Sequence, residues 1–176
     1  MGVIPEEVVP ALYQALSAGI PAGNVFNFLE TAVKTAKAGV SDTETAVRTL
    51  SSVVNTYGAE NISATQVADI LFQTVKSGVT TFSELAGSLY NVLPVAKAAG
   101  ISFQDIAAAV AAMTKKGTPT AQAMTQLKAA ILSIMAPTKR TAGLFQNYGL
   151  NVRELGETMK GPGGLVSAMN QIVDAT

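Results

Sequence analysis

Apolar residues recur at three-and-four spacing along most of the chain. Val25, Phe28, Leu29, Ala32, Val33 and Ala36 form one stripe over residues 22–38, and Val47, Leu50, Val54 and Tyr57 form the next. Val67, Ile70, Leu71 and Val75 follow Ser63; Phe103, Ile106, Val110 and Met113 share a face over 102–116; Met124, Leu127, Ile131 and Ile134 make a fifth stripe that Pro137 ends. This period stacks side chains on one face of an α-helix. Strand-like alternation persists nowhere. Residues 5–18, a short piece ending at Tyr148, a start at Asn151 and the apolar stretch Leu165 to Val173 read as further helices. The expected fold is all-α: a compact array of about eight to ten short helices in a single domain over 1–176, with 161–176 a loosely attached C-terminal helix.

The helices are punctuated by a phrase that occurs five times: glycine, an aliphatic residue, then a helix-starting residue. The copies are Gly19-Ile20-Pro21, Gly39-Val40-Ser41, Gly78-Val79-Thr80, Gly100-Ile101-Ser102 and Gly149-Leu150-Asn151. Glycine takes the left-handed conformation that ends a helix, the aliphatic residue folds back on the last turn, and Ser, Thr or Asn caps the next helix. Gly19, Gly39, Gly78, Gly100 and Gly149 are therefore expected as structural helix corners. Alanine at Gly39 or Gly100 should cost about 1 kcal/mol, and a β-branched residue more. The copies beginning at Lys37, Lys76 and Lys97 suggest an irregular quasi-repeat, because glycine-to-glycine separations of about 39 and 22 residues share no period. Pro94 should kink or break the helix expected over 81–99. Ser102 with Asp105 resembles a capping box with a shorter acid, and Thr118-Pro119 reads as a cap and first-turn proline.

Composition narrows the chemistry. The 176 residues contain no cysteine and no histidine, which removes thiol nucleophiles, thiolate metal sites, the usual neutral-pH base and Ser-His-Asp triads. Twelve basic residues balance twelve acidic ones, and the charged fraction is 14%. Such a surface offers no footprint for nucleic acid. Lys115-Lys116 and Lys139-Arg140 read as helix ends placed favourably against the dipole. Glu6-Glu7, Asp42-Glu44 and Glu154-Glu157 fall in or near helix first turns, where negative charge is stabilised without catalysis. Gly161-Pro162-Gly163-Gly164 lacks the strand of a dinucleotide site and reads as a flexible joint. The six methionines read mostly as core filling. No catalytic, cofactor-binding or metal-binding residue is nominated. No apolar run approaches a membrane span, and the start of the chain has no basic region ahead of an apolar one.

The ordered series Ala11-Leu12-Tyr13-Gln14-Ala15-Leu16-Ser17-Ala18-Gly19-Ile20-Pro21, Phe28-Leu29-Glu30-Thr31-Ala32, Asp42-Thr43-Glu44-Thr45-Ala46-Val47, Asp69-Ile70-Leu71-Phe72-Gln73-Thr74-Val75-Lys76, Gly117-Thr118-Pro119-Thr120-Ala121 and Gly149-Leu150 resembles the core region of phage tail tape measure proteins. The resemblance implies a structural virion protein in the lumen of the tail tube, made in the host cytoplasm and concerned with tail assembly, tail length determination and DNA ejection. It implies tail tube proteins, tail assembly chaperones and the baseplate hub as partners, with self-association left open. Family members are many times longer, so the chain reads as an excised globular segment, too compact to measure length by itself. The alternative is membrane action during ejection, with the helices over 102–116 and 119–135 laid on a bilayer. A peptidoglycan-cleaving enzyme ranks last on this residue inventory.

Overall fold

A computed structural model describes residues 5–175, with side chains from Val8 onward. The side chains of Glu6 and Glu7, singled out above, lie outside the described residues. Among the described residues eleven α-helices follow one another: α1 (Pro5–Ser17), α2 (Val25–Ala38), α3 (Thr43–Tyr57), α4 (Ala64–Ser77), α5 (Phe82–Ser88), α6 (Leu93–Ala98), α7 (Phe103–Lys115), α8 (Thr120–Met135), α9 (Lys139–Asn147), α10 (Val152–Thr158) and α11 (Gly164–Ala175). Among the described residues there is no strand, only an isolated parallel bridge between Ile101 and Gly161. The segment around Pro94 is broken rather than kinked. A 3-10 turn over Leu89–Asn91 separates α5 from α6, which leaves Pro94 in the first turn of α6, where its missing N–H has no intrahelical role.

The apolar stripes face one continuous core. α7 is central, packed against α4, α6, α8 and α11, with Phe103, Ile106 and Val110 fully buried. Met124, Leu127, Ile131 and Ile134 of α8 are buried as one face. Met124 and Met159 fill the core, whereas Met135 is exposed. Four of the buried hydroxyls are satisfied within their own helices: Thr35, Thr49, Thr74 and Ser88 each donate to the carbonyl four residues back, at 2.8, 2.7, 2.7 and 2.6 Å. This lets alanine-rich helices bury hydroxyls without leaving an unpaired polar atom.

Three of the five corners close as Schellman motifs. The N–H groups of Gly19, Gly100 and Gly149 reach the carbonyls three residues back, and those of Ile20, Ile101 and Leu150 reach the carbonyls five back, all at 2.8–3.1 Å. The glycines hold φ of +86°, +73° and +70°, and Ile20 and Ile101 are buried. Gly39 and Gly78 depart from this expectation. Gly39 has φ −84° and Gly78 has φ −111°, so neither is left-handed. At the first of them the motif is shifted by one residue: Val40 carries φ +50°, its N–H meets Lys37 O at 3.4 Å, and Ser41 N–H meets Ala36 O at 2.9 Å. What selects glycine at these two positions is crowding. A Cβ on Gly39 would stand 2.8 Å from Cγ of Phe82, and one on Gly78 would stand 2.6 Å from Thr114 Oγ1 and 3.0 Å from Ala111 Cα. These two glycines are required by close approach, and the backbone strain falls on Val40.

Val40 is 91% exposed, so its side chain returns little for holding a β-branched residue at positive φ. Val40→Gly is expected to raise stability by about 0.5–1 kcal/mol in urea denaturation, the relief of strain exceeding the added freedom of the unfolded chain. A loss of stability on that substitution would contradict the assignment.

Candidate functional site: a face of converging helix corners

The crowded glycines bring three corners together on one face. The α2–α3 corner touches the start of α5 through Gly39 and Phe82, whose ring stacks on Phe72 with centroids 6.1 Å apart. The α4–α5 corner touches the end of α7 through Gly78, and Val79 N–H donates to Thr114 Oγ1 at 3.2 Å. The α7–α8 corner joins them through Thr80 and Thr120, whose hydroxyl oxygens are 2.7 Å apart. Val40 and the 72%-exposed Val79 project from this face. Lys37, Lys76 and Lys115 occupy the last turns of α2, α4 and α7, at the negative ends of the helix dipoles.

The carboxylates here are engaged in caps. Glu84 Oε2 accepts from Thr81 N–H at 3.0 Å and from the hydroxyls of Thr80 and Thr120 at 3.2 Å, while Thr81 Oγ1 accepts from Glu84 N–H. The Thr81 backbone hydrogen bond above all holds Glu84 below the usual carboxylate range. Asp42 caps α3, and the Thr45 backbone N–H is the main cause of its lowered pKa. A depressed carboxylate stabilises the fold above its unfolded-state pKa and loses that contribution as pH falls through the folded value, so both caps weaken in acid.

The other singled-out residues lie elsewhere and correct several local expectations. Thr120, not the Thr118-Pro119 pair, opens α8; Pro119 sits at the cap position without a side-chain cap. Lys139 and Arg140 stand in the first turn of α9, at the end where cations are disfavoured, because the chain from Pro137 re-enters a helix at Thr138 instead of leaving one. Glu157 sits late in α10 and pairs with Lys160 at 2.7 Å. Ser102 caps α7 through Asp105 N–H at 3.1 Å, but the carboxylate does not complete a box. Both Asp105 oxygens instead accept from Gly163 N–H at 3.0 Å. Beside it, Tyr57 donates to Ile101 O at 3.1 Å, and burial, aided by the Asp105 charge, raises its pKa to about 12. Gly100 and Gly149 are remote from the three-corner face, one at this Asp105 junction and the other between α9 and α10.

A groove of about 410 Å³ runs between α4 and α7, floored by Ala107, Ala108, Ala111 and Ala112 and flanked by Ile70 and Gln73. Ile70 is only half-buried for this reason. The apolar stripes of α7 and α8 face the core, and among the described residues no helix is long and apolar enough to cross a membrane. The arrangement positions helix ends against one another; its polar side chains serve caps and junctions.

The family model of phage-related minor tail proteins matches residues 2–176. A probable tape measure protein of a Clostridium phage, phiCD119, is 36% identical over 111 residues, covering 61% of this chain and 12% of that protein. The tape measure protein of Pneumococcus phage Dp-1 is 25% identical over 146 residues, covering 83% of this chain and 13% of that protein. The chain therefore spans a small part of the length of the curated relatives that it matches. No solved structure matches.

Proposed function

Because this chain belongs to the phage-related minor tail protein family, we propose that it is a folded, non-enzymatic segment of a tape measure protein. The parent protein would act in tail assembly, tail length determination and DNA ejection, from the lumen of the tail tube. Tube subunits, assembly chaperones and the baseplate hub are its proposed partners, with synthesis in the host cytoplasm. Association with other tail components follows from the family itself.

The observation that carries this reading is where the resemblance falls. Four of the six phrases that carry the resemblance lie at helix junctions, the other two lying inside α2 and α4, and the fold uses the four as corners and caps: Gly19-Ile20 and Gly149-Leu150 close Schellman motifs, Asp42 caps α3, and Thr120 ties α8 to Thr80 and Glu84. A segment of this design contributes a shape. Folded, 176 residues have a radius of gyration of about 16 Å, whereas one straight helix of that length would reach about 260 Å.

The test is location. With an epitope inserted between α9 and α10 at the exposed Tyr148–Gly149 corner, purified tails of the encoding phage or prophage should carry the segment, and antibody should reach it only after the tube is opened. Tails that assemble without the segment, or that display it on intact outer walls, would refute the proposal.

A further inference from the structure

We propose that residues 139–175 form a C-terminal arm that undocks from the rest of the fold as one unit, hinged at α9 and latched by the Asp105 carboxylate. The inference goes beyond the tail role and does not depend on it.

α11 is joined to α10 too closely to leave alone. A Cβ on Gly164 would stand 2.5–2.7 Å from Thr158 O and from the carbonyl atoms of Met159, so the start of α11 lies directly on the end of α10. Leu155, Met159, Leu165 and Ala168 are all buried in their contacts. The pair docks as a hairpin, α10 against α8 and α11 against α7. Two polar ties hold the loop between them to the body: Gly161 N–H donates to Gly100 O at 3.1 Å, and Gly163 N–H donates to Asp105.

The second tie acts as a cap supplied from another helix. Gly161-Pro162-Gly163-Gly164 has no side-chain oxygen of its own, and Asp105 of α7 accepts the N–H of Gly163, the residue ahead of α11, as the carboxylate of a capping box does. Asp105 is buried, and among the described residues Gly163 N–H is the donor to its carboxylate. A buried carboxylate is stable there only while that donor is in place. Latch and carboxylate are thus coupled.

At its other end the arm is weakly anchored. α9 has no buried residue, carries Gly143 in its interior and begins with two cations at its positive end. Its half-buried Phe145 is what it has to lose by pivoting, and when the arm lifts, apolar side chains now covered by α7 and α8 meet solvent. Segments with few buried contacts are those that open below the global unfolding free energy.

Native-state hydrogen exchange on the whole chain tests this. In the wild type, amides of 152–175 should exchange through one common opening at least about tenfold faster than the slowest amides of α3 and α7. Asp105→Ala should accelerate the arm by about another tenfold while leaving α2–α4 unchanged, and Asp105→Asn, which keeps an acceptor, should fall between. The proposal is overturned if arm amides exchange only with global unfolding, if α11 opens while α10 stays protected, or if Asp105→Ala raises exchange everywhere equally. Should Asp105→Ala not fold, the wild-type pattern and Asp105→Asn still decide.

Discussion

Phe82→Ala is expected to destabilise the fold by about 3–5 kcal/mol, the cost of emptying a fully packed aromatic site. Phe82 is 2% exposed, stacks on Phe72 and lies under Gly39, so it joins the α2–α3 and α4–α5 corners. The same contact makes a second, more specific outcome follow. Gly39→Ala in the parent drives a methyl group to 2.8 Å from the Phe82 ring, and should cost about 1–3 kcal/mol. In the Phe82→Ala background the ring atoms at 2.8 and 3.1 Å are gone and only the Cβ of residue 82, at 2.9 Å, remains, beside a cavity into which it can shift; alanine at position 39, whose backbone is not left-handed, should therefore cost clearly less than in the parent. The coupling is read from denaturant midpoints of the four proteins in a double-mutant cycle. Additive effects would show that Gly39 is required for some reason other than the Phe82 ring.

Gly78→Ala is expected to be the most damaging single methyl at any of the five corners, at about 2–3 kcal/mol. Its Cβ would enter the space of Thr114 Oγ1 and Ala111 Cα, and Thr114 cannot swing away without giving up its hydrogen bond to Val79 N–H. Alanine at Gly149, where φ is +70° and nothing lies within 4 Å, should cost only about 1 kcal/mol of backbone strain. Thermal denaturation of the two variants separates the mechanisms. Equal losses would mean that close helix approach at Gly78 is not what selects glycine there.

The difference between these glycines explains what could be read from the chain. Helix positions and buried stripes were legible because they depend on local spacing: α3 buries Val47, Leu50 and Val54, and α7 buries Phe103, Ile106 and Val110. The five Gly-aliphatic phrases looked alike, yet they divide into two kinds. At Gly19, Gly100 and Gly149 the conformation is set by the helix being ended. At Gly39 and Gly78 glycine is selected instead by the close approach of Phe82 and Thr114, far away in sequence, and the aliphatic residues Val40 and Val79 are left in solvent. Asp105 teaches the same lesson. Its spacing from Ser102 suggested a local box, but its partner is 58 residues away. The three-corner face is not legible in the chain because it is assembled by these tertiary contacts. The repeated Lys37-Ala38-Gly39-Val40-Ser41 and Lys76-Ser77-Gly78-Val79-Thr80 phrases carried the available signal for it.

A corner-built segment should enter the tail folded. The direct measurement is tail length, by electron microscopy, in phage whose tape measure gene carries a tandem second copy of these 176 residues, so that the original copy still supports assembly. If each copy remains a compact helical unit, tails should lengthen by no more than about 40 Å, the diameter of such a domain. Tails longer by about 260 Å would show the added residues laid out as continuous helix, and would contradict the account.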